Sequence, residues 1–339
     1  DQTLGVTLFF LALRWRLERL VLSRPPQILW LGVLLAGGGV LMFVLETLGL
    51  IRADSISGLF VASSYGYPRV AMTMLEPNLY GATMMIFALA FLSEWKRSGF
   101  VARLVIVLFN IGIVLSFSRA PLLGYAVGLA LYLLCMRGVS KMFWYLFAVL
   151  IVIGLLILFS VDVAANISYF NRVDAVESRF IFMEYAWKDI LNAPFIGNGV
   201  YSFGFLNTEI LRIFVGGEDV AGEAWLGSLP LVVLHDSGII GFLFLGAFFV
   251  SILRRAYRAI LKGRRIVGVS ALALDRSAAW LSAGVAILIS SVATTAHSMG
   301  IFWVLFAIIY SIPSAVRSAD ILNPISCSPQ PIYKHLATN

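Results

Sequence analysis

A chain of 339 residues that is 60% hydrophobic and only 13% charged departs sharply from soluble domains, which are about 25% charged. That composition excludes an ordinary soluble protein and points to one polytopic membrane domain. The net charge of +7 says less than the position of each charge relative to the spans, and no nucleic-acid partner is expected.

The chain opens on "DQTLGVTLFFLAL", half of an apolar span that starts with Asp1, with no charged leader or cleavage pattern. It is therefore expected to be truncated at its N-terminus. A bilayer core of about 30 Å needs roughly 20 apolar residues per helix. On that measure the predicted spans are 28–51, 79–93, 101–117, 120–136, 142–160, 231–253, 277–296 and 300–316, plus the fragment 1–13. The fold class is thus all-α, a membrane helix bundle with about eight or nine transmembrane helices in this chain. Residues 1–160 and 231–317 form its two blocks of spans.

With the linker 14–27 placed in the cytoplasm, alternate spans put segments 14–27, 94–103, 137–141, 254–276 and 317–339 on the same side. These hold 4, 3, 2, 7 and 2 Lys or Arg, or 18 of the 25. The opposite orientation would expose "RRAYRAILKGRR" outside, against the positive-inside rule. The tail 318–339 is then cytoplasmic, polar and irregular. Cys135 and Cys327 both fall on the reducing side, so no disulfide is expected.

Residues 161–230 make one large outer loop. Within it, "ESRFIFMEYAWKDILN" (177–192) has the apolar spacing of an amphipathic helix. "NAPFIGNGV" ends that helix with Pro194, Gly197 and Gly199. "GGEDVAGE" (216–223) is an acidic turn, better read as a solvated loop than as a cation site.

Ionisable groups inside a membrane are candidates for function. Here they gather toward the outer face: Glu46 near a span end, Arg119 in the turn "SFSRAPL", His235 and Asp236 at the start of a span, His297 in the turn "TAHSM". Asn110 is the main polar residue at mid-depth. Coupled transporters build their sites at the midplane, so this distribution favours a site at the outer surface. Arg69, Arg119 and Arg179 each offer a planar fork of donors to phosphate oxygens. The competing reading pairs them with outer carboxylates. His235 is a candidate general base, since histidine as a residue type suits that role near neutral pH. Asp236 lies roughly 100° away around the helix, so it reads less as a partner for His235 than as a charge at the helix N-terminus. The simple alternative is that "HD" caps a helix at the water boundary. There is no cluster with metal-ligand spacing, no phosphate-binding glycine loop and no nucleophile elbow, so no metal or cofactor is expected.

Four stretches in order resemble the O-antigen ligase and polymerase family: "EPNLYGATMMIFALAFL", "LSFSRAPLLGYAVGLALYLL", "SRFIFMEYAWKDILNAPFIGNGVYSF" and "HDSGIIGFLFLGAFF", together spanning roughly residues 65–255. The resemblance implies a GT-C type membrane glycosyltransferase of the bacterial inner membrane with its site facing the periplasm. Such an enzyme takes a glycan from undecaprenyl diphosphate-linked oligosaccharide and passes it to a growing glycan or to lipid A–core, with other polysaccharide assembly proteins as partners. Carried over by position, Arg69, Arg119 and Arg179 hold the diphosphate; His235 is the candidate catalytic base, with Asp236, Asn78, Glu46 and Lys188 as candidate supporting residues. In ligases the histidine falls further upstream, near Gly227 and Ser228 here. "HDSG" is instead similar to polymerase-like members, so a polymerase-type transfer is the leading expectation. An anion transporter and a non-catalytic assembly partner remain as alternatives.

Overall fold

A computed structural model describes residues 28–50, 61–62, 69–72, 76–94, 99–137, 173–200, 202–208, 226–266, 269–294 and 300–321. The described residues form nine α-helices and one two-residue antiparallel strand pair. In chain order these are α1 (Ile28–Thr47), β1 (Val61–Ala62), β2 (Arg69–Val70), α2 (Pro77–Phe91), α3 (Gly99–Leu115) and α4 (Arg119–Arg137). They continue with α5 (Val173–Asn192), α6 (Ser202–Leu206), α7 (Leu229–Gly263), α8 (Ala271–Ser291) and α9 (Gly300–Ile321).

Among the described residues, five helices are long and apolar enough to cross a membrane: α1, α4, α7, α8 and α9. The helix over 99–115 is apolar but shorter. The expected span 79–93 is a helix of 15 residues, about 22 Å long, which falls short of the bilayer core. It is followed by a 3-10 turn, Leu92–Glu94. The expected spans 1–13 and 142–160 lie outside the described residues. Of the expected spans within the described residues, five are full-length helices and two are shorter, because a run of apolar residues also describes a helix enclosed by other helices. α2 is that case, with nearly all of its residues buried.

The bundle packs α2, α3, α4, α8 and α9 around Tyr80, Phe109, Phe302 and Phe306, all fully buried. Lipid supplies little hydrophobic drive between helices, so close backbone approach at small residues matters more. α4 and α8 make the most extensive helix contact. On α4, a Cβ at Gly124 would stand 2.5 Å from the Ala286 carbonyl, and one at Gly128 would stand 2.9 Å from the Ser282 carbonyl. Any larger residue at these two places would push the helices apart. The opposite surfaces carry apolar side chains outward: Leu34 and Leu41 on α1, Phe100, Leu104 and Val107 on α3, Leu243, Phe244 and Val250 on α7. Such a belt suits lipid contact. The molecule is a polytopic membrane helix bundle.

Candidate functional site at the break in α7

α7 is not one continuous helix. Gly238 has φ 62° and ψ −169°, which interrupts the helix after "HDS". Such a break inside a membrane protein leaves backbone groups that must find partners. The segment after α5 supplies them. Asn198 N–H donates to the His235 carbonyl at 2.8 Å and Gly199 N–H to the Asp236 carbonyl at 3.1 Å. In the other direction, Ile239 N–H donates to the Pro194 carbonyl at 2.8 Å and Ile240 N–H to the Phe195 carbonyl at 3.2 Å. "PFIGNG" and "HDSGII" are therefore two halves of one interlocked joint.

The glycines permit that closeness. A Cβ at Gly197 would meet the Asp236 carbonyl carbon at 2.5 Å, and one at Gly238 would meet the Phe195 carbonyl at 2.4 Å. Gly197 also has φ 73°. Both positions thus need the absent side chain and the left-handed backbone together.

The joint presents His235 at its centre, fully buried. Its Nδ1 lies 2.9 Å from Asp236 Oδ1 and its Nε2 lies 3.3 Å from Asp189 Oδ2. A carboxylate only accepts hydrogen bonds, so either imidazole nitrogen donates to the carboxylate it faces when it carries a proton, and Nδ1 makes the shorter contact. Asp236 then orients the ring and leaves Nε2 as the site-facing nitrogen. Asp189 comes from α5, 46 residues away in sequence. Its Oδ2 accepts from Asn207 Nδ2 at 2.7 Å, and its backbone carbonyl accepts from Asn198 Nδ2 at 3.1 Å. Phe203 stands edge-on to the imidazole at 5.5 Å between centroids. Ala186, Phe203 and Leu226 form a small buried cluster beneath. The Asp189 side chain keeps 17% of its surface exposed against 0% for His235, so Asp189 is the member of the pair that solvent or a substrate reaches.

The expectation that Asp236 is not a partner of His235 is thus corrected. Nδ1 and Oδ1 both sit close to the backbone, and the helix ends two residues later, so the angular offset does not separate them. The reading of "HD" as an N-terminal cap is corrected too. α7 begins at Leu229, and His235 and Asp236 close its first segment, their carbonyls accepting the docked loop.

A second polar group lies at the turn between α3 and α4. Ser118 Oγ donates to Asn78 Oδ1 at 2.7 Å, and Asn78 Nδ2 donates to Glu76. Phe117 adopts φ 48°, a strained turn that delivers Arg119 as the exposed first residue of α4. Arg119 makes no ion pair among the described residues. Lys188 is exposed and paired with Glu184 at 2.8 Å, a hydrogen bond that raises its ammonium above the ordinary value. Glu46 Oε2 is buried with no hydrogen bond among the described residues. Arg69 lies on β2 and Arg179 on α5, their side chains outside what is described. His297 and the acidic turn 216–223 also lie outside the described residues. Asn110 donates to the Ile106 carbonyl of its own helix at 2.7 Å.

Asp189, Asn198 and Asn207 were absent from the sequence candidates. A signal existed for Asp189, which shares a helical face with Phe182, Tyr185 and Ala186 at positions i−7, i−4 and i−3. A carboxylate on the apolar face of an amphipathic helix marks a buried partner elsewhere. Asn207 carried no such mark.

No curated protein matches the chain. A family model described as O-antigen ligase matches residues 104–246, a stretch that runs from α3 through the joint and includes Arg119, Arg179, Asp189 and His235. Over those 143 of the 339 residues the chain is similar to the O-antigen ligase family, a family that implies glycosyltransferase or ligase activity in general.

Proposed function

We propose that the protein transfers a glycan from an undecaprenyl diphosphate-linked donor to a sugar hydroxyl at the outer face of the inner membrane, as a polymerase does, with inversion and without a metal. The observation that carries this reading is the pair of His235 and Asp189. One ring nitrogen, oriented by Asp236 at 2.9 Å, faces a part-exposed carboxylate at 3.3 Å. That contact couples the buried imidazole to a carboxylate that an acceptor hydroxyl can reach.

In this mechanism the acceptor oxygen attacks the anomeric carbon as its proton passes to the His235–Asp189 pair through Asp189, the member left open. The anomeric C–O bond breaks with its electron pair leaving on the diphosphate. Arg119, with Arg69 and Arg179, offsets the negative charge that develops there. Attack opposite the leaving group inverts the anomeric configuration. Exposed apolar residues beside the joint, among them Trp187, Leu191, Ile240 and Phe244, offer a surface for the isoprenyl chain.

The test is transfer by full-length protein in liposomes, given undecaprenyl diphosphate-linked oligosaccharide with chelator present. A ladder of lengthening lipid-linked glycan is expected. His235→Ala should lower turnover at least 100-fold, the scale of general-base catalysis. Near wild-type turnover by that variant overturns the base assignment. A single transfer to added lipid A–core, with no ladder, makes the protein a ligase.

A further inference from the structure

At the other end of α7 lies a groove of about 810 Å³ between α7 and α9. It belongs to the side that the positive-inside rule assigns to the cytoplasm, far from the His235 joint. Its α7 wall steps along one helical face: Ala247, Val250 and Ser251, then Arg254, Arg258 and Lys262. Positions 254, 258 and 262 are spaced i, i+4, i+8, so their Cα atoms form a row about 12 Å long. Arg255 and Arg317 complete the basic lining.

Three features separate this groove from scattered surface charge. None of its five basic residues forms an ion pair among the described residues. Its two walls are also tied in place. The Arg255 guanidinium of α7 stacks over the Tyr310 ring of α9 at 5.1 Å, and within α9 Arg317 Nε is held by the Pro313 carbonyl at 3.3 Å. Finally, the polarity is graded, since an exposed apolar stretch at Ala247 and Val250 gives way to guanidinium groups within two helical turns. Water-facing charge needs no such gradient, whereas an amphiphile with an anionic head does. Basic pockets between transmembrane helices on this side suit phosphate-bearing lipid headgroups.

We propose that this groove binds an anionic phospholipid of the adjoining leaflet, its phosphate on Arg254 and Arg258 and its acyl chain along Ala247 and Val250. The ligand chemistry is a phosphate monoester or diester, and the apolar half assigns it to a lipid rather than to free phosphate.

The test uses full-length protein in neutral detergent, titrated with dioleoyl phosphatidic acid and followed by native mass spectrometry. One lipid should be retained per chain, about tenfold more tightly than dioleoyl phosphatidylcholine. The Arg254→Gln, Arg258→Gln double variant should weaken phosphatidic acid about tenfold. The Arg264→Gln, Arg265→Gln double variant removes the same charge from the same segment outside the groove and should stay within about twofold. Should the first variant fail to fold, Ser251→Trp blocks the groove without changing charge and should weaken the lipid by a similar factor. Equal weakening by the two double variants would reduce the effect to diffuse charge and overturn the proposal. Displacement of the lipid by an equal concentration of inorganic phosphate would overturn the lipid assignment.

Discussion

The His235 cluster and the Arg276–Glu94 pair both bury charge, toward opposite ends of the helices, and they are closed to different degrees. At the basic end, Arg276 sets Nε and Nη2 each 2.9 Å from Glu94 Oε1. Both side chains are 7% exposed, and Tyr132 donates to neighbouring Asp275. At the other end the imidazole is sealed, but Asp189 keeps one side open. A sealed pair has no route for exchanging a proton with a substrate, so its role is to fix α8 against the end of α2. A cluster with one open carboxylate can hold its geometry and still meet a reactant. Buried charge alone does not mark a site; the opening does.

The largest test of that contrast is Glu94→Gln. Removing one charge of a buried ion pair costs about 3–5 kcal/mol. The melting temperature of the detergent-solubilised protein should fall strongly, with glycan transfer per folded molecule unchanged. A loss of turnover at unchanged stability would break the comparison.

Gly238→Ala comes next. It places a Cβ 2.4 Å from the Phe195 carbonyl at φ 62°, and strain of this kind costs on the order of 2 kcal/mol. Hydrogen exchange should then speed up at the Asn198 and Ile239 amides that hold the joint, while the bundle amides of α8 stay protected.

Asn207→Ala should be milder. It removes the 2.7 Å hydrogen bond to Asp189, worth about 1.5 kcal/mol for a charged acceptor. Turnover should drop more than stability, because the released carboxylate no longer sits against Nε2. A pure stability loss would move Asn207 to a packing role.

The smallest effect is expected at Lys188→Ala. Its pair with Glu184 is exposed on both sides and screened by water, so neither melting temperature nor turnover should change measurably. A clear loss of turnover would return Lys188 to the site.

Much of this was legible along the chain. Hydropathy is local, so α1 and α4 could be read to within four residues, whereas α7 runs ten residues past the expected 253 and α8 starts six residues before the expected 277. The amphipathic helix expected over 177–192 is α5, extended to Val173. The glycines of "PFIGNG" stood out because turns need them. α9 ran further than expected, to Ile321 with Pro313 inside.

What the sequence by itself determined was the class of molecule, the outline of the five described spans, the exposed Arg119 at its turn and His235 as the titratable group to watch. Each follows from a residue and its near neighbours. Only the tertiary structure decided that Gly238 breaks α7, that two segments forty residues apart exchange backbone hydrogen bonds there, and that Asp189 and Asn207 meet His235. The physical reason is that a broken helix must satisfy its freed backbone groups with whatever packs beside it. In this protein that neighbour is the end of α5, which carries Asp189 into place.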